Sequence, residues 1–162
     1  MIKRGEGGIT LIELAVVISI IVITGVCLAP AIGEWLENFR IRQAARDIIS
    51  SLQFAKIKAI SNCREYRVVF DTGTDTYQLQ RGNLSQKSTR WNSEESKQVP
   101  GHVDIVKEAT GFGTTKGNIQ FNPDATSTSG SIFIETAKGK RYRIIIFGTT
   151  GRIRMKEGWK LN

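Results

Sequence analysis

Glu13 is the one charge in an apolar run of 24 residues, ITLIELAVVISIIVITGVCLAPAI, from Ile9 to Ile32. A carboxylate inside a membrane helix costs about 2.5–3.5 kcal/mol at its centre, so its presence points to a function. The chemistry open to it is ion pairing. A chain cut after Gly8 would supply a cation in the new amino group of Ile9, on the same chain or a neighbouring one. Pairing between chains recovers desolvation cost only when subunits pack side by side, which would make Glu13 a register pin for assembly. A single-pass anchor that tolerates an acid near its end by snorkelling is the plainer alternative.

Other reactive groups are scattered. Hydrolytic or transfer chemistry needs a nucleophile beside a base, or paired acids in a cleft. The single histidine, His102, lies in a Pro-Gly-His turn, and Asp71, Asp75 and Asp124 sit in Gly- and Pro-containing stretches where turn chemistry accounts for them. Neither a catalytic residue nor a metal or cofactor is expected, and the chain does not read as an enzyme. Cys27 and Cys63 are 36 positions apart, about 54 Å along a continuous helix. A bridge tolerates about 7 Å, so no intrachain disulfide is expected.

Charge is concentrated at the far end. The net charge is +8; residues 9–137 hold 13 basic and 13 acidic side chains, whereas 138–162 hold eight basic ones against Glu157 alone. Residues two apart on a strand face the same way, so Arg152, Arg154 and Lys156 project together, as do Arg141 and Arg143. If the two strands pair through the turn Gly148–Gly151, four or five cations share one surface, suited to a polyanion, with Trp159 available for base stacking. The competing reading is an edge strand guarded against aggregation by its charges.

These groups need elements to hold them. The leader, residues 1–8, carries Lys3 and Arg4 and lacks an apolar stretch of its own, so the apolar region follows the cleavage site and is kept. The run 9–32 is long enough to span a bilayer, which needs about 20 apolar residues, and Lys3 and Arg4 predict a cytoplasmic start with the remainder across the membrane. Pro30, aided by Gly25, predicts a bend. Over 31–60, which includes most of the amphipathic helix 33–62, the residues Ile32, Trp35, Leu36, Phe39, Ala45, Ile48, Ile49, Leu52, Ala55, Ala59 and Ile60 recur at three- and four-residue steps, a stripe fit to lie on a sheet. Residues 63–162 alternate in short runs: 66–70 and 76–80 as a hairpin, then 103–106, 118–121, 131–136, 141–147 and 152–155. The polar segment 82–100 reads as an exposed loop. The expected fold class is α+β, with a long N-terminal membrane-spanning and amphipathic helix packed on an antiparallel β-rich head with a basic C-terminus.

Gly8 followed by ITLIEL resembles the class III signal of type IV pilins and type II secretion pseudopilins, with Ile9 standing where most relatives have Phe. The resemblance implies cleavage after Gly8 and N-methylation of Ile9 by a membrane-embedded prepilin peptidase. It implies an inner-membrane subunit with a periplasmic head that assembles with other pilin or pseudopilin subunits in a type IV pilus or type II secretion pseudopilus, near the tip. The segment 118–155 resembles the C-terminal part of the GspH/FimT branch, and Gly151, Arg152, Ile153 and Arg154 match its Gly-Arg-x-Arg element. In FimT-like minor pilins that element is associated with DNA binding during DNA uptake, so the resemblance implies DNA as an alternative partner of Arg141, Arg143, Gly151, Arg152, Arg154 and Lys156. Ala125 stands where the branch usually has Gly after the Phe-x-Pro-x stretch.

Overall fold

The computed structural model describes residues 9–101, 103–106 and 116–158, without the side chains of 28–31 and 116. Gly8 and the rest of the leader, His102 and Trp159 lie outside the described residues. Among the described residues one helix, α1 (Leu11–Ser61), precedes eight strands: β1 (Tyr66–Asp71), β2 (Thr76–Gly82), β3 (Trp91–Gln98), β4 (Val103–Ile105), β5 (Lys116–Phe121), β6 (Gly130–Thr136), β7 (Arg141–Phe147) and β8 (Arg152–Glu157). The class is α+β.

Thr10 caps the helix. Its Oγ1 accepts the Glu13 N–H at 3.3 Å, and its carbonyl accepts the Leu14 N–H at 3.1 Å. The spacing Thr-x-x-Glu is that of a capping box, and an acid in the first turn also complements the helix dipole. Glu13 thus has a local role that its isolation in an apolar run did not suggest. A break over residues 28–31, where Pro30 stands, separates Leu11–Cys27 from Ile32–Ser61. Among the described residues no single helix is long and apolar enough to cross a membrane; the two parts together pass on length and composition.

The chain divides into two compact units, Met1–Glu37 and Asn38–Asn162. In the first, the apolar side chains from Ile9 to Val26 are exposed, Ile9 at 78% and Leu11 at 87%. In the second, Ile41, Ala44, Ala45, Ile48, Leu52, Ala55 and Ala59 form the buried stripe of α1. Ile32, Trp35, Leu36, Phe39 and Ile60, expected on that stripe, are exposed. Ile32, Trp35 and Leu36 precede the second unit, which begins at Asn38; Phe39 is two residues, some 200°, from Ile41, and Ile60 is about 100° past Ala59.

Two antiparallel sheets, ordered β3-β2-β1-β5 and β4-β6-β7-β8, complete the second unit. Alternate residues of each point inward, Tyr66, Val68 and Phe70 from β1, Ile132 and Ile134 from β6, Tyr142, Ile144 and Ile146 from β7, and they join the helix stripe in one core. The segment 82–100 is not the open loop its polarity suggests. Its second half is β3, an edge strand paired with β2 through an irregularity between Leu79 and Gln80. An edge strand exposed on both faces needs no apolar alternation, so backbone pairing alone orders it. Its first half is tethered by Glu65, a buried carboxylate that accepts the N–H groups of Lys87 at 2.8 Å and Ser88 at 2.7 Å.

Candidate functional site

The β7–β8 register sets Arg143 opposite Lys156, Ile145 opposite Arg154 and Phe147 opposite Arg152. Paired residues share a face, so the strand period brings Arg141, Arg143, Arg152, Arg154 and Lys156 to the outer side of the second sheet. They are not equivalent there. Arg141 is ion-paired with Glu135 at 3.0 Å. Arg143 donates to Ser131 Oγ from Nε at 3.2 Å and from Nη2 at 3.0 Å, and its guanidinium lies 5.2 Å from the Phe133 ring centre. Arg152, Arg154 and Lys156 are exposed, and none is ion-paired with a described residue.

Gly151 precedes these three cations and sets the turn. Its φ is +55°, and a Cβ there would lie 2.6 Å from the Ala125 carbonyl oxygen and 3.1 Å from Lys56 Nζ. Lys56, on α1, donates to the carbonyl oxygens of Thr150 at 2.8 Å and Gly151 at 3.3 Å. The glycine of the Gly-Arg-x-Arg element is therefore a docking point of the turn on the helix and on the loop after β5. Ala125 itself has φ +68°, the left-handed region in which glycine is unstrained. Asp124 secures that loop by accepting the Thr126 hydroxyl at 2.6 Å and the Thr126 N–H at 3.0 Å, which hold its carboxyl below the ordinary range.

The inner side of β8 meets α1. Gln53, Lys56 and Ile57 from the helix face Gly151, Arg152 and Ile153 across a cleft of about 350 Å³. At the other end of the strand, Arg42 donates to the Tyr142 hydroxyl at 3.0 Å, which with the nearby Glu157 raises the guanidinium above its usual pKa. Among the described residues no three His, Cys, Asp or Glu side chains converge as metal ligands. The arrangement offers surfaces for recognition.

A family model described as Type II transport protein GspH matches residues 44–151, which run from the buried helix stripe to the glycine of that turn. The chain belongs to the GspH family. The type II secretion system protein H of Xanthomonas campestris pv. campestris is 26% identical over 158 residues, covering 95% of this chain and 85% of its relative. Among solved structures, GspH of E. coli superposes with a TM-score of 0.58 at 13% identity, over 75% of this chain and 90% of that one. The minor pseudopilin EpsH of the Vibrio cholerae type 2 secretion system gives a TM-score of 0.56 at 11% identity, over 72% and 95%. These likenesses identify the α+β fold as type IV pilin-like. GspH proteins are structural subunits and not enzymes, in keeping with the dispersed acids of this chain.

Lys56 and Glu65 carry no signal in the sequence, and Asp75 carries only that of a turn. Asp75 reads as a turn residue, yet its Oδ1 accepts the Ile105 N–H at 2.9 Å and so ties the β1–β2 turn to β4. Each of the three bonds a backbone group distant in sequence, and no residue spacing announces such a contact.

Proposed function

We propose that this GspH-family chain is a minor pseudopilin that assembles with other pseudopilin subunits in a type II secretion pseudopilus, near its tip. Prepilin peptidase cuts after Gly8 and methylates Ile9. Residues 9–32 hold the chain in the inner membrane with a cytoplasmic N-terminus, 33–62 carry the helix into the periplasm, and 63–162 form the head. The observation that carries this reading is the conjunction of the family match over 44–151 with an apolar run whose sole charge is Glu13. In the filament, Glu13 pairs with the Ile9 amine of a neighbouring subunit, which offsets part of the cost of burying both charges. The test is the mass of the protein extracted from membranes: loss of eight residues and gain of one methyl group. Replacing Gly8 with Leu should block processing, and an unchanged loss of eight residues in that variant would refute the reading.

A DNA-binding minor pilin is the second reading, favoured by the common face of Arg143, Arg152, Arg154 and Lys156. With Arg141 and Arg143 engaged locally, three free cations remain, for a log-log salt slope of roughly −2 on single-stranded DNA. A salt-sensitive gel shift abolished by Arg152→Ala with Arg154→Ala would support it, and no shift at low salt would end it.

A further inference from the structure

Beyond the Glu13 pairing and the cation face, β8 carries a further feature along the edge that faces away from β7. Gly158 N–H donates to the Arg141 carbonyl at 2.9 Å. Hydrogen-bonded pairs alternate along an antiparallel ladder, so Arg143 and Lys156, Ile145 and Arg154, and Phe147 and Arg152 exchange bonds across it. The N–H and C=O groups of Ile153, Met155 and Glu157 then point away from β7. β8 ends its sheet, and no described strand pairs with it there.

The side chains on this edge are sorted by face. Arg152, Arg154 and Lys156 lie outward; Ile153 and Met155, followed by Glu157, lie inward, opposite the buried Ile146, Ile144 and Tyr142. Ile153 is only partly buried and lines the cleft whose helix wall includes the exposed Ile57, and Met155, two residues on, is 41% exposed. An extended segment laid along this edge meets cations on one side and apolar groups on the other.

The other edges are closed by devices that β8 lacks. β4 has three residues. The edge of β5 is covered by the segment after it, through Thr128 N–H to the Gln120 carbonyl at 2.9 Å and a bridge between Phe121 and Ser127. β3 is polar beyond Trp91 and carries both charge signs, Glu94, Glu95 and Lys97. Charges alone would guard β8 if its inner face were polar too, but Ile153 and Met155 leave an apolar lane.

We propose that the β8 edge receives an extended segment of a different protein chain, in which acidic and apolar residues alternate over about six positions. Its backbone pairs with Ile153, Met155 and Glu157, its acids face Arg152, Arg154 and Lys156, and its apolar residues cover Ile153 and Met155 over the cleft. Charge complementarity sets the occupant. A second copy's β8 would place three cations against three, and like charges across a ladder are destabilising. A second copy's β3 would offer Glu94, already bound to Lys58 at 3.3 Å and near Arg81 at 3.6 Å. DNA satisfies the cations and leaves both the backbone edge and the apolar lane unpaired.

The test uses the full chain in detergent micelles at physiological salt and a labelled peptide of three Glu-Val repeats with threonine at each end. The peptide should bind and slow amide exchange at Ile153, Met155 and Glu157 at least tenfold. A peptide with the same residues in two blocks, and one with Lys in place of Glu, should each bind roughly tenfold more weakly or worse. Met155→Pro removes one outward N–H and leaves the β7 ladder intact, as edge positions permit. It should lose binding while β7 amides keep their protection. If that variant loses β7 protection, Arg154→Glu decides instead, with binding of the Glu peptide lost and of the Lys peptide gained. Equal binding of the Lys peptide, protection that misses the three amides, or undiminished binding by a folded Met155→Pro would overturn the proposal. So would self-association of the chain through β8, or an oligonucleotide that displaces the peptide and binds Met155→Pro as well as the parent. A chain that is processed and assembled yet ignores the peptide refutes only the docking edge.

Discussion

The Lys56 ammonium, projecting from α1, lies 2.8 Å from the carbonyl oxygen of Thr150 in the β7–β8 turn. A second bond, to Gly151 at 3.3 Å, uses another of its three donors, so a cation of the helix holds the hairpin that carries the exposed basic residues. The orientation of Arg152 and Arg154 is thus set from the helix and not by the hairpin alone.

Lys56→Met keeps the aliphatic stem and removes both bonds. Its expected cost is about 1 kcal/mol, below the about 1.5–3 kcal/mol of charged hydrogen bonds because the group is partly open to water. Gly151→Ala is worse, since it forces a Cβ to 2.6 Å from the Ala125 oxygen at a positive φ. A loss of about 2 kcal/mol or more is expected. Thermal melting of the two variants in detergent orders them, and equal midpoints would contradict this account of the turn.

Ala125→Gly should act in the opposite direction. At φ +68° an alanine bears about 1–2 kcal/mol of left-handed strain, and glycine returns about 0.5–1 kcal/mol of that in unfolded-state entropy. The net expectation is a gain of roughly 0.5–1 kcal/mol, read as a raised melting midpoint. Ala125 is therefore a strained position that the rest of the loop, chiefly Asp124 and Thr126, holds in place.

Glu65→Ala should free residues 82–90, the first half of the 82–100 segment. It strands the N–H groups of Lys87 and Ser88, each of which bonds one carboxylate oxygen, at an expected cost of about 1–3 kcal/mol. Amide exchange of Lys87 and Ser88 should accelerate more than that of β1. Unchanged exchange at these two residues would show that the tether is dispensable.

Much of this architecture is visible as periodicity. The alternation in 66–70, 131–136 and 141–147 marks strands because each has one face in the core, and the period of two alone sets Arg152, Arg154 and Lys156 on one side. β3 escapes the same reading because both its faces meet water and its order comes from backbone pairing with β2. The helix stripe is misplaced at Ile32, Trp35, Leu36, Phe39 and Ile60 because an apolar side chain carries no mark of whether it is buried or exposed. The engagement of Arg141 by Glu135 and of Arg143 by Ser131 depends on the β6–β7 register, which a single strand's pattern does not contain.

Asp124 gives the loop after β5 an acid dependence whose sign is determined. Its carboxylate accepts two bonds from Thr126, both favouring the ionised form, so its folded pKa lies below the ordinary 3.8. Between the folded and unfolded values the unfolded chain binds more protons, and stability rises with pH through that window. The contribution is fully present above the unfolded value and disappears as pH falls through the folded one. Asp124→Asn keeps an acceptor for the Thr126 N–H and abolishes the titration. The difference in melting midpoint between parent and variant should therefore be constant from neutral pH down to about pH 5 and shrink below pH 4. A difference that widens on acidification would show that the Thr126 bonds do not favour the ionised form.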